Sequence, residues 1–564
     1  MKLILKQYLS SLKERGELDA ILPDLLSQLG LNVFSRPGRG TRQDGVDVGA
    51  VGVLDGGPER VYLFSIKPGD LTRKDWANDS IQALRPSLNE IIDSYIPHRL
   101  PAEHRGKDIV ICVCIGGDFQ EQVRTSLTGF FQRNTSNNIS FKEWNGDRLA
   151  ALIQSNFLRE DLLPEHARSR LRKSLALLDE PEASSQHFAE LIHSLSSVNR
   201  HKKAEDVTVL RQMSICLWIM FSWARDAKNM EAAYLSSEVT LLHAWKIVKA
   251  YCTIKGKLAE AVATAFSSIF SAYMKICYAF LLTNVLKHVN KLHALSSAVL
   301  ASCSLDVNLK LFDLLGRLAT GGIWAYWGAT RCSEDEADTK QQLQQETEMY
   351  VSALKELISN NPVLLLPIKD EQAIDIFIAV LLLALDINNH EYLKKWVSEI
   401  LHRSRFAYQT HGYYPCNLES YSDLLSHPKS GDDEYRKSVT TGSVLFPMIA
   451  LCAALLEDEE TYNQVGLLKK EHLDHCNFQL WFPDESSEDH FYTNGDFHGA
   501  VLSHVCVEKS KEDFLAQVFG ECDQSPHFKE ITAVKFSWWP VVIVACRHYR
   551  LPLPPNLLQG LRTI

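Results

Sequence analysis

Residues 45–70 read GVDVGAVGVLDGGPERVYLFSIKPGD, two apolar runs joined by a Gly-Gly-Pro turn. Runs of Val, Leu, Tyr and Phe on either side of a tight turn predict a hairpin with strands over 46–54 and 60–67. The polar exceptions raise the question, because Asp47 stands at the start of the first run and Lys67 at the end of the second. Side chains alternate faces along a strand, so Asp47, Gly49 and Val51 share one face while Ser65 and Lys67 share one face of the partner. A register that pairs those faces aims an acid and an amine at one end of the sheet. Taken singly, an Asp or a Lys at a strand end is ordinarily solvated punctuation. Taken together, the acid suits a Mg²⁺ ion held by one or two carboxylates, and the amine suits an attacking water or a developing negative charge.

Outward from the hairpin, helical and strand patterns alternate. A helix is predicted over 3–29, broken near Gly16, in which LDAILPDLLSQLG places Leu18, Ile21, Leu22, Leu25, Leu26 and Leu29 on one face before Gly30 stops it. A strand over 31–35 precedes the hairpin. After it come a helix over 72–95, the strand DIVICVCIGG with its near-continuous apolar run, a helix over 119–133, and ISFKEWNGDRLAALIQSNF, read as strand, turn at Asn145-Gly146 and closing helix. The expected order is helix, three strands, helix, strand, helix, strand, helix. From about Glu165 the texture becomes helical, with long segments of helical period from 207 to 456 and no clean repeat. The basic segment ARSRLRKSLALL followed by DEPEASSQ is the expected connection between the parts, and WFPDESSEDHFYTNGDFHG, from Trp481, is expected to be a long loop.

A chain of 564 residues exceeds what one core usually serves. Its 46% apolar and 23% charged residues describe an ordinary globular protein. Thirteen cysteines without a C-x-x-C pair suit reduced core thiols and a cytoplasmic setting. The N-terminus carries no signal-peptide pattern, and the runs IFIAVLLLALDI and LFPMIALCAALL fall short of the about 20 residues a membrane span needs, so they are expected to be buried helices. The net charge of −10 argues against a chain that coats nucleic acid globally, while leaving room for a local basic patch. GRLATGGIWAYWG lacks the G-K-[ST] ending of a phosphate loop, and the histidines between His472 and His504 match no zinc template. ATP, if needed, is expected to come through a separate partner.

With the hairpin, helix LDAILPDLLSQLGLNV and RQDGVDVGAV resemble the PD-(D/E)XK nuclease superfamily, in particular its Mrr-like restriction endonuclease branch. Asp19 lies eleven residues before Gly30, Asp44-Gly45-Val46-Asp47 follows, and Ser65-Ile66-Lys67 closes the hairpin. The likeness covers roughly residues 1–165. It implies an α/β restriction-endonuclease-like domain over 1–165, followed by an all-α sensor or scaffold domain over 166–564. It also implies a Mg²⁺-dependent, or Mn²⁺-dependent, phosphodiesterase acting on DNA. Asp47 would be the central metal ligand, Lys67 the catalytic lysine and Asp19 the helical acid and second ligand, with Glu17 its substitute in another register. Gln82 would point a polar group toward the site, and Ser65 stands where the family carries Glu, Asp or Gln. Arg36, Arg39, Arg42, Arg73 and Lys74, around the hairpin, are the expected phosphate contacts. By the same resemblance the chain is expected to act in bacterial defence against phage, gated by its helical part, by self-assembly into a homo-oligomer, or by a partner such as a separate ATPase. The rival expectations are a nuclease fold that binds DNA without cutting it, and a helical scaffold protein.

Overall fold

The computed structural model describes residues 5–6, 9–10, 12, 14, 18–36, 43–76, 83–156, 165–197, 205–299, 301–428 and 432–563. The hairpin forms: β2 (Val48–Val53) and β3 (Glu59–Lys67) pair antiparallel in unbroken register from Val48 opposite Phe64 to Val53 opposite Glu59. β1 (Asn32–Ser35), reached from helix α1 (Asp19–Gln28), adds antiparallel to β2. On the other side β4 (Ile109–Ile115) and β5 (Ile139–Trp144) add in parallel, giving a mixed five-stranded sheet in the order β1-β2-β3-β4-β5.

All seven residues of β4 are buried, as a strand flanked on both edges and covered on both faces requires. On one face Val61, Leu63, Ile111, Val113 and Ile115 pack with Leu84, Leu88, Ile91 and Phe130. Those last four come from helix α2 (Leu84–Glu90), its π-helical continuation Ile91–Arg99, and helix α3 (Glu121–Asn134). The single helix expected over 72–95 is thus replaced by a short turn of helix, Arg73–Trp76, and by α2. α1 contacts β1, β2 and the closing helix α4 (Gly146–Asn156). The order of elements in this region is the one expected from the sequence.

The chain divides into two compact units, 1–276 and 277–564. The change to helical texture at 165 and this division are different places. Helices α5 (Glu165–Ala176), α6 (Pro181–Ser196), α7 (Glu205–Asp226) and α8 (Glu231–Val248) all belong to the first unit, while α9 (Lys257–Leu281) crosses its end. α5 and α6 are joined by reciprocal bonds in which the Ser174 and Ser184 hydroxyls each donate to the other's carbonyl, at 2.8 and 2.7 Å. Two helices, Glu205–Asp226 and Lys257–Leu286, are long and apolar enough to cross a membrane; the apolar window of the first is 83% buried, which makes it a core helix of this unit.

The second unit is mostly helical: α10 (Ser304–Arg331), α11 (Ala337–Asn360), α12 (Ala373–Leu383), α13 (His390–Gln409), α14 (Leu445–Leu455), α15 (Glu459–Glu471), α16 (Lys511–Gln524) and α17 (Pro540–Tyr549). α12, and α14 up to Ala454, are buried throughout, as expected of the two apolar runs. The glycines of GRLATGGIWAYWG lie within α10, where a Cβ on Gly316 would stand 2.1 Å from the Asp375 carboxylate. Asp375 in turn pairs with Arg550 at 2.9 Å, and Asp313 with Arg317 and Arg547 at 2.7 and 3.0 Å. The stretch from Trp481 is not wholly loop: Trp481 belongs to β7 (Asn477–Phe482), which pairs with β6 (Gly442–Ser443) and β8 (Ala500–Ser503) in a three-stranded sheet. Period-2 alternation over so few residues is too short a signal beside the long helical patterns.

The turn into β2 depends on one residue without a side chain. Asp44 and Gly45 both take left-handed backbone, at φ 46° and 79°, and a Cβ on Gly45 would sit 2.0 Å from the Ser87 carbonyl oxygen of α2. Gly45→Ala therefore meets backbone strain and a steric clash together, and is expected to destabilise the protein by about 2 kcal/mol or more. Denaturant unfolding of the full chain measures this.

Candidate functional site

The ends of β3 and β4 meet at Lys67 and Ile115, which are partners in the parallel register. β2 enters beside them. Its register continues past Val48 to Asp47, whose amide donates to the Phe64 carbonyl at 2.9 Å and whose Oδ2 accepts from the Ile66 amide at 2.7 Å. Asp47 thus takes up a β3 amide with its side chain, and its carboxylate lies against the strand that ends in Lys67. Lys67 is 8% exposed and Ser65 1%. A buried ammonium needs a partner, and Lys67 finds it in Glu14, with Nζ 3.4 Å from Oε2.

Burial pushes the Asp47 carboxyl up to about 6, with Glu14 and Asp19 adding to the rise while the Ile66 amide and Lys67 oppose it. Among the described residues three acids therefore share one region with Lys67, an excess of negative charge in a poorly solvated place. Asp19 contributes as the first residue of α1. Ser65 Oγ is buried and has no hydrogen-bond partner among the described residues, the condition of a hydroxyl left for water or a ligand. Among the described residues no three His, Cys, Asp or Glu side chains are grouped closely enough to hold a metal ion by themselves. The arrangement suits a cation held by one or two carboxylates with water completing its shell, rather than an all-protein cage.

The structure brings Asp47, Ser65, Lys67 and Asp19 to the same end of the sheet. Gln82, Glu17, Arg39 and Arg42 lie outside the described residues. Arg36 is exposed; burial pushes the Asp24 carboxyl of α1 up, with Arg211 and then Arg36 opposing the rise. Arg73 and Lys74 are exposed on the short turn that follows β3. Glu14 was missed by the sequence reading. Counting back from Gly30 singles out Asp19, and nothing in KERGE marks Glu14 as the partner of a lysine 53 residues on. Comparison of the chain with protein-family models, with curated proteins and with solved structures gives no match.

The raised Asp47 value has a sign that can be tested. The folded state holds its proton to about pH 6 while the unfolded chain releases it near 3.8, so the stabilisation is complete below pH 3.8 and lost as pH rises through 6. Asp47→Asn keeps an acceptor for Ile66 without the charge. It is expected to be more stable than the wild type at pH 8, by about 3 kcal/mol at most, with the difference vanishing below about pH 4. Chemical unfolding of both proteins at the two pH values checks this; an equal stability at pH 8 would place the Asp47 carboxylate in a well-solvated setting.

Proposed function

We propose that residues 1–165 form a restriction-endonuclease-like domain of the PD-(D/E)XK kind and act as a Mg²⁺-dependent or Mn²⁺-dependent phosphodiesterase on DNA. The observation that carries this reading is the convergence of Asp47 and Lys67 at one end of β3, with Glu14 and Asp19 acting on the same carboxyl. The order and pairing of the five strands support it, as does the exposure of Arg36, Arg73 and Lys74.

Asp47 would hold the metal, with Asp19 or Glu14 as the second carboxylate, because a divalent cation relieves the negative excess that raises Asp47. When bound, such an ion supplies an acidified water and polarises the phosphoryl oxygens. The chain's own residues do the rest. The Ile66 amide keeps the Asp47 carboxylate from turning away. Lys67, ion-paired with Glu14 at 3.4 Å, offers N–H donors to the charge that builds on the phosphoryl oxygens in the transition state. Arg36, Arg73 and Lys74 contact backbone phosphates without reading sequence. The helical remainder gates the domain, in a chain that serves as the effector of defence against phage, either through self-assembly or a partner. A second reading, a nuclease fold that holds DNA uncut, is favoured by one feature: Ser65 supplies a neutral hydroxyl where a further carboxylate would strengthen a cation site.

Nicking of supercoiled plasmid with Mg²⁺ or Mn²⁺ tests both. Lys67→Ala and Asp47→Ala are expected to lower the rate by about a hundredfold or more, Glu14→Gln by about tenfold, and chelation to abolish it. Equal cutting by all of these would remove the assigned site. Wild type that binds DNA and never cuts it selects the second reading, and wild type that does neither selects a helical scaffold.

A further inference from the structure

α1 carries Asp19 at its start, and farther along it presents Asp24 and Gln28, four residues apart and so on one stripe of the helix. Helix α7, from the helical part of the same unit, meets that stripe. Arg211 Nη1 donates to Gln28 Oε1 at 3.0 Å, across 183 residues of sequence. The same guanidinium acts on the Asp24 carboxylate, which is 7% exposed between the buried Leu22, Pro23, Leu25 and Leu26. Burial pushes Asp24 up, with Arg211 and then Arg36 opposing; burial pulls Arg211 down, with Asp24 opposing and Arg36 adding to the fall. Those three charges and Gln28 are the polar groups that bear on one another here. Arg211 Nε is also buried and has no partner among the described residues.

An arrangement of this kind is not what stability alone would choose. A buried acid and guanidinium lose hydration that a well-packed apolar pair never has to give up, and a donor left unmade adds to that loss. What the polar contact supplies is direction: a hydrogen bond to Gln28 is made at one height and one rotation of α1, whereas apolar side chains tolerate sliding.

We infer that Arg211 is a positioning residue, which through Gln28 and Asp24 sets the height and rotation of α1 and hence where Asp19 stands relative to Asp47 and Lys67. This rests on the reading of that end of the sheet as a nuclease centre. α7 lies in a bundle with α5, α6 and α8, so a ligand or partner that shifts the bundle moves Arg211, and with it the acid. The gate is then a helix-to-helix contact within the first unit.

The test uses the full chain with Arg211→Met, Arg211→Lys and Gln28→Ala, and reads amide hydrogen exchange along residues 19–28, the melting temperature, and the Mg²⁺ dependence of plasmid cleavage. Arg211→Met is expected to speed exchange along α1 and to lower cleavage at a fixed low Mg²⁺ concentration by about tenfold to a hundredfold, with part of the loss recovered at high Mg²⁺. Arg211→Lys is expected to restore part of both effects, and Gln28→Ala to show them more weakly. Should Arg211→Met fail to fold, the other two variants, measured at unchanged melting temperature, decide the question. Unchanged exchange along α1 would overturn the inference, and so would faster exchange with the Mg²⁺ dependence unaltered. Wild type without cleavage overturns the nuclease reading instead, and the exchange data then still report whether Arg211 holds α1.

Discussion

The hydrogen bond from the Ile66 amide to the Asp47 carboxylate is the contact on which the N-terminal region turns. It lies just beyond the last paired residues of β2 and β3, and it takes up a strand amide that would otherwise need another partner. Because register has a period of two, a slip of one residue would turn Asp47 to the other face and bury Val46 and Val48 against the wrong layers. The same contact therefore sets the pairing of the hairpin and the direction of the acid. A carboxylate in that place carries a cost, since burial and two neighbouring acids all disfavour its charge. Such a group is kept where its charge is put to use.

Around that contact the protein spends polar groups sparingly. Lys67 is matched by Glu14, Asp44 by Arg99 at 3.1 Å, and Lys6 by Asp118 and Asp147 at 2.9 and 2.7 Å. The Ser65 hydroxyl, by contrast, is buried and has no hydrogen-bond partner among the described residues. The second unit holds a buried carboxylate in a structural role. Asp370 accepts from Ser443 Oγ and from the amides of Val444 and Leu445 at the start of α14, satisfying donors that a helix leaves open. The comparison explains why a carboxyl pushed up by burial does not by itself mark a site. Asp370, like Asp47, is pushed up to about 6, yet it spends its oxygens on a helix end.

How much of this was legible beforehand differs by element. The hairpin, β4 and α3 announced themselves through alternation, a continuous apolar run and helical period: β4 is buried along its whole length, and α3 buries Val123, Leu127 and Phe130 at helical spacing. The π-helical stretch Ile91–Arg99 carries Pro97 and a polar surface, and no periodic apolar pattern points to a helix there past Tyr95. The small sheet around Trp481 escaped because its strands of four and six residues lie among long helical patterns, beside which so short a period does not stand out.

Sequence alone determined that an acid and an amine would stand at one end of one hairpin, because strand alternation and a two-glycine turn leave little other choice. It determined as well that the apolar runs from Ile376 and from Leu445 would supply core helices, of which the first ends at Leu383 and the second at Leu455. Only the tertiary structure decided that Glu14 rather than solvent neutralises Lys67, that Gly45 exists to let Ser87 approach, and that α7 reaches back to α1 through Arg211. Each of these joins positions tens to hundreds of residues apart, and local propensity and periodicity hold no information at that range. Which residue meets which was settled when the sheet and the helices packed.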